Sequence, residues 1–203
     1  IGAVGHIERF NPALRNLRTR LEAGELGDIY QVATRRQGPF PARIADVGVV
    51  KDLASHDIDL TRWITDAAYR QVSANTLNRS GRSHEDMVSV TGLLENSIIT
   101  NHLVNWLTPS KERRTIVTGE RGMFVADTLT ADLTFYSNAT VGSGWNSVSH
   151  FRGVAEGDVT KFAITKSEPL YEEHCAMRDA LLGREGSNIV TLKEGADVVR
   201  VCE

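Results

Sequence analysis

Met87-Val88-Ser89-Val90-Thr91-Gly92-Leu93-Leu94-Glu95, followed across the turn Glu95-Asn96-Ser97 by Ile98-Ile99-Thr100-Asn101-His102-Leu103-Val104-Asn105-Trp106, is rich in β-forming side chains that alternate with polar ones. Successive residues of a strand point to opposite faces of a sheet, so each run reads as a half-buried strand and the two together as a hairpin. Further runs of the same kind surround them: Val72 to Asn78, Arg114 to Gly119, Gly122 to Asp127 and Leu133 to Tyr136, with a second hairpin-like turn at Gly119-Glu120-Arg121-Gly122. Short strands that pair with their chain neighbours predict one mostly antiparallel sheet.

Upstream, Asn11-Pro12-Ala13 sets an N-cap Asn and a Pro at the first helical position. Leu14, Leu17 and Leu21 follow at helical spacing before Gly24, which predicts a helix over about residues 12–23. Ile29 to Gln37 reads as a strand ended by the loop Gly38-Pro39-Phe40-Pro41, and residues 50–65 as a helix carrying Val49, Leu53, Ile58 and Leu60. Ile1-Gly2-Ala3-Val4-Gly5 reads as a buried strand already under way, as though cut from something larger. Residues 137–158 read as a long loop, Glu168-Pro169 opens a helix closed by Gly183, and Gly195 to Cys202 starts a last helix.

Composition narrows the function. The chain has 203 residues, 41 % hydrophobic and 24 % charged, and a formal net charge of −3, so it can bury a substantial core and lacks the basic field of a nucleic-acid binder. Cys175 and Cys202 are too few and too far apart for a disulfide framework or a zinc site, which points to a reducing compartment. No apolar run is long enough to cross a membrane and the start lacks the layout of a signal peptide. Together these predict a cytoplasmic protein with no nucleic-acid or membrane partner.

The candidate chemistry lies in Asp52-Leu53-Ala54-Ser55-His56-Asp57-Ile58-Asp59-Leu60. Residues four apart share a helix face, so Asp52 and His56 can project together. An imidazole with an ordinary pKa near 6.5 accepts or returns a proton near neutral pH, and a carboxylate beside it tunes that exchange. On spacing alone Asp52 reads most simply as a helix-start carboxylate favoured by the helix dipole, and His56 as a half-buried polar residue. A metal reading of His56, Asp57 and Asp59 lacks a second nearby His. Asp59 fits a structural hydrogen-bonding residue. Arg35 and Arg36 point to opposite faces of a strand, so at most one faces a site. Trp106, His84 and His102 default to structure.

Four pieces of this sequence resemble the C-terminal part of the glucose-fructose oxidoreductase and inositol dehydrogenase family of NAD(P)-dependent sugar dehydrogenases: Gly5-His6-Ile7-Glu8-Arg9-Phe10-Asn11-Pro12-Ala13, Asp46 through Asp59, Val117-Thr118-Gly119-Glu120-Arg121-Gly122-Met123, and Glu168-Pro169-Leu170. They fall in the family's order along nearly the whole chain. The first and third are worded most like members acting on nucleotide-activated sugars, such as UDP-N-acetylglucosamine 3-dehydrogenases. In that family an N-terminal doubly wound domain holds the dinucleotide on a glycine-rich turn. No Gly-x-Gly-x-x-Gly and no Glu-Lys-Pro occurs here, and Lys51 stands in a different context.

The resemblance implies that residues 1–11 are a remnant of the last strand of the dinucleotide domain and residues 12–203 the substrate-binding and oligomerisation domain. It implies an α+β fold, a largely antiparallel or mixed sheet with helices on one face, whose open face packs on a second subunit as a homodimer or tetramer. It assigns Asp52 and His56 to catalysis, with His56 as general acid/base, and places Arg9 near the nicotinamide end of NAD or NADP. By position and chemistry Arg36 and Arg43, with Arg35, are candidates to hold a sugar-nucleotide diphosphate. Arg9 reads alternatively as a surface charge paired with Glu8 or Glu22. The function expected is hydride transfer between a sugar hydroxyl carbon and nicotinamide, with this chain inactive alone. The alternatives are a non-catalytic module that binds a sugar or protein, and a metal-dependent hydrolase or isomerase centred on His56.

Overall fold

The computed structural model describes residues 1–42, 44, 46–139, 156–184, 186 and 188–203. The Asn11 side chain accepts the Ala13 amide at 3.0 Å and Pro12 supplies a preset φ, so α1 spans Pro12–Glu22. β1 (Ile29–Pro39) follows, then a π turn over Val50–Ala54 that runs straight into α2 (Ser55–Thr65). Next come β2 (Tyr69–Leu77), β3 (Met87–Leu94), β4 (Ile99–Asn105), β5 (Leu107–Gly119), β6 (Gly122–Asp127) and β7 (Asp132–Asn138). β8 (Glu156–Lys161), α3 (Pro169–Leu181) and α4 (Leu192–Cys202) complete the order.

The strands make one sheet in the order β2-β3-β4-β1-β5-β6-β7-β8. β1 and β4 are parallel, and every other neighbouring pair is antiparallel. The parallel pair follows from the route of the chain, which leaves β1 through α2 and returns by β2 and β3. This is the expected mixed α+β sheet.

Alternation decides what lies under the helices. On β1, Val32, Thr34 and Arg36 are buried while Arg35 is exposed. Leu14 and Leu17 of α1, Leu60 and Ile64 of α2, and Val32, Leu94, Val117, Phe124 and Leu133 of the sheet form the main core. A second cluster of Val49, Ala54, Val88, Val90, Val104 and Trp106 fastens the π turn and the start of α2 to β3 and β4. Each such side chain contributes roughly 1.5–3 kcal/mol on burial. The second cluster therefore positions the helix that carries His56.

Several boundaries differ from expectation. β5 starts at Leu107, not Arg114, because its polar first half pairs with the end of β1, Gln37 opposite Glu112 and Arg36 opposite Arg113. β8 begins inside the expected loop of residues 137–158 and runs past its end; it is an exposed edge strand with no apolar alternation, held by its ladder to β7. Residues 140–155 of that loop lie outside the described residues. Ile1 to Val4 is not a buried strand: Ile1, Gly2 and Ala3 are exposed, and Ala3 makes a single antiparallel bridge to Thr191. α4 begins at Leu192 because Thr191 and Glu194 form a reciprocal capping box. Among the described residues no helix is long and apolar enough to cross a membrane.

His102 is 1 % exposed beneath the helices, with Nδ1 at 2.8 Å from Thr34 Oγ1 and Nε2 at 2.7 Å from Tyr69 Oη. Burial pushes its imidazole down to about 4. In the unfolded chain it protonates near 6.5, so the unfolded state binds more protons and stability is lost as pH falls from 6.5 towards 4, by up to about 3 kcal/mol. Urea unfolding at intervals across that range should show the loss, and His102→Gln should make it shallower, with His56 and His6 supplying the remainder. An unchanged slope in the variant contradicts this role.

Candidate active site

Three short elements meet around His56: a 3-10 turn over Ile7–Phe10, β1 and the start of α2. The helix start is held from outside, since the Glu85 carboxylate accepts the Val50 amide at 3.0 Å and the Glu85 carbonyl accepts the Val49 amide. A side chain at Gly48 would collide with that carboxylate. The Ser55 amide donates to the Val50 carbonyl, five residues back, and so closes the π turn.

Two buried guanidinium groups then tie the elements together. Arg36 of β1 donates from Nε to Asp57 Oδ1 at 2.8 Å and from an Nη to Glu8 Oε1 at 2.6 Å. Arg9 of the 3-10 turn donates to both carboxylate oxygens of Asp59 and, at 2.7 Å, to Glu194 of α4. Charges taken out of water persist only when matched, and these are matched across elements. Arg9 is thus buried, and the surface reading that paired it with Glu8 or Glu22 fails, because Glu8 belongs to Arg36. Asp59 is the hydrogen-bonding residue expected.

Electrostatics follow from this packing. Burial pushes the His56 imidazole down to about 4, and the charges of Arg36 and His6 push the same way against Glu8 and Asp57. The packing therefore favours the neutral form of His56. Burial raises the Asp57 carboxyl above its ordinary value even though Arg36 opposes this, and its Oδ2 is buried with no partner among the described residues. Burial also acts on Glu8, but Arg36 reverses the effect and holds it low.

Asp52 sits in the π turn, half-buried, and shares no hydrogen bond with His56. Its charge is felt instead at Arg113 of β5, a guanidinium lowered by burial and by Arg36. Arg43 lies outside the described residues. Two polar cavities, one of about 420 Å³ between α1, α2 and α4 and one of about 330 Å³ between the 3-10 turn, α1 and α2, are both lined by Arg9, Arg18, Trp63 and Asn188, and neither by Asp52 or His56. Sequence reasoning missed Glu8, His6 and Arg113 as members of the cluster. Glu8 and His6 stood inside the quoted first motif, and Arg113 becomes visible only once β5 is set in register against β1.

The starts of α1, α3 and α4 are capped by the chain's own side chains, Asn11, Glu168 and Thr191, and the Glu85 carboxylate occupies the approach to the π turn before α2.

Comparison with known proteins agrees with the architecture. Residues 14–125 match the model of the GFO/IDH/MocA C-terminal domain. The chain is 34 % identical over 99 residues to a UDP-N-acetylglucosamine 3-dehydrogenase of Acidithiobacillus ferrooxidans, covering 49 % of this chain and 30 % of that protein. It is 36 % identical over 76 residues to a scyllo-inositol 2-dehydrogenase (NAD(+)) of Bacillus subtilis, covering 36 % and 22 %. The solved UDP-N-acetylglucosamine 3-dehydrogenase of Acidithiobacillus ferrooxidans superposes with a TM-score of 0.76 at 24 % identity, over 98 % of this chain and 58 % of that one. The chain thus spans under a third of these curated relatives in sequence, and somewhat over half of the solved one in structure. With its mixed sheet, its helices on one face and the family match over residues 14–125, the chain belongs to the GFO/IDH/MocA C-terminal domain family.

Proposed function

We propose that this chain is the substrate-side domain of an NAD(P)-dependent sugar or sugar-nucleotide dehydrogenase, and that His56 takes the proton of the hydroxyl whose carbon is oxidised. The observation that carries the reading is the placement of His56 at the start of α2, edge-on against His6 and beside the Glu8–Arg36–Asp57 network. Oxidising an alcohol releases a hydroxyl proton along with the hydride, and a positioned neutral imidazole accepts it. The names of the curated relatives, one a UDP-N-acetylglucosamine and one a scyllo-inositol dehydrogenase, support the substrate class.

The other candidates take supporting places in this reading. Asp52, unbonded to His56, orients substrate from the π turn. Arg36 serves the substrate end by fixing Glu8 and Asp57, and Arg9 serves the cofactor end by fixing Asp59 and Glu194. Arg43 remains the candidate for a diphosphate. NAD or NADP is held mainly by a separate dinucleotide domain.

In a dehydrogenase carrying this chain, His56→Ala should lower turnover by roughly 10²-fold or more. The 203-residue chain alone should give no calorimetric signal with NAD(H). Near-normal turnover removes His56 from the role, and tight NAD(H) binding by the chain contradicts the division of labour.

We further propose that the sheet face away from the helices, with Ala33, Leu103 and Ile116 around a shallow cavity, pairs with a second copy. Light scattering should give a dimer or tetramer that Ile116→Asp reduces to monomer. A monomeric wild type overturns this.

A further inference from the structure

The His6 backbone is fixed on both sides: its amide donates to the Val4 carbonyl at 2.9 Å and its carbonyl accepts the Arg9 amide at 3.2 Å, at the head of the 3-10 turn. Its ring is 6 % exposed. The ring stands perpendicular to that of His56, with centroids 5.4 Å apart. This is the edge-to-face arrangement favoured by the charge distribution of aromatic rings.

Neither imidazole finds a partner for its buried Nδ1 among the described residues. In many histidine sites a hydrogen bond to one ring nitrogen sets which nitrogen bears the proton and how the ring is turned. Asp52, the companion expected from the Asp-x-x-x-His spacing, makes no such bond to His56. The ring contact made by His56 is the edge-on one with His6.

We propose that His6 is a positioning residue, whose ring packs against His56 and holds that imidazole in one plane and one tautomer. The inference builds on the reading of His56 as proton acceptor, yet the packing stands by itself. The charged groups facing His56 are Arg36 from β1, His6 and Glu8 from the segment ahead of α1, and Asp57 from its own helix. Those facing His6 are Asp59 from α2, Glu194 from α4 and its neighbour Arg9. Because the contact is made through the ring, Phe should replace His6 and a small side chain should not.

Nitrogen-15 NMR of the imidazoles of the 203-residue chain reads the tautomer and titration midpoint of His56 without any substrate. In His6→Phe the His56 nitrogen shifts should match the wild type, with a midpoint that rises by less than in His6→Ala, since the ring stays while the His6 charge is lost. In His6→Ala they should move to values averaged over both tautomers, with the midpoint rising by about one unit towards 6.5 as water reaches the ring. Should His6→Ala fail to fold, His6→Leu, which keeps bulk without a flat ring, is expected to show the same averaging.

Wild-type shifts and midpoint in His6→Ala or His6→Leu overturn the proposal. So does a His6→Phe chain that behaves like His6→Ala, since that assigns the effect to the His6 nitrogens. Either result leaves the proton-acceptor reading of His56 standing. Conversely, normal turnover in His56→Ala removes that reading and leaves the packing result intact.

Discussion

Arg36 reaches three elements at once: its own strand β1, Glu8 on the 3-10 turn and Asp57 on α2. A guanidinium with five fixed donors is suited to such bridging, and a buried charge left without partners costs several kcal/mol. Each partner is therefore bound to the others' placement. Arg9 repeats the device one layer over, joining the same turn to Asp59 on α2 and Glu194 on α4. Between these two bridges lie His6 and His56, so the position of the candidate base follows from the matching of charges on either side of it.

The surroundings make His56 a different group from the free imidazole that its sequence spacing suggests. Burial, Arg36 and His6 all favour its neutral form, whereas Glu8 and Asp57 favour the charged one. A buried network that carries two carboxylates on one guanidinium keeps negative charge close by, which stabilises an imidazolium if one forms. Glu8 and Asp57 thus oppose, without outweighing, the burial and the Arg36 charge that favour the neutral ring.

Much of the fold was legible before any coordinates. The period-two runs from Met87 to Trp106, the Asn11-Pro12 helix start and the Glu168-Pro169 helix start each carry a local physical signal, and each appears where that signal placed it. β8 and the first half of β5 were not legible, because edge and end strands are held by backbone ladders and need no apolar alternation. The start of α4 was legible in Thr191 and Glu194 but was overlooked.

The site was legible in its residue types more than in its partnerships. Asp52 and His56 could be singled out by spacing, yet the carboxylates that face His56 are Glu8 and Asp57. Arg9 and Arg36 read as ligand-holding residues, while their partners here lie 50, 185, 28 and 21 residues away along the chain. Only the assembled sheet and helices bring such pairs together. The account stands on the energy of the Arg36 bridge, and a double-mutant cycle on Arg36→Met and Asp57→Asn, read by chemical denaturation, measures it. A coupling of about 2 kcal/mol or more is expected for a buried, hydrogen-bonded pair. Additive effects, with coupling near zero, would contradict the claim that this bridge sets the placement of His56.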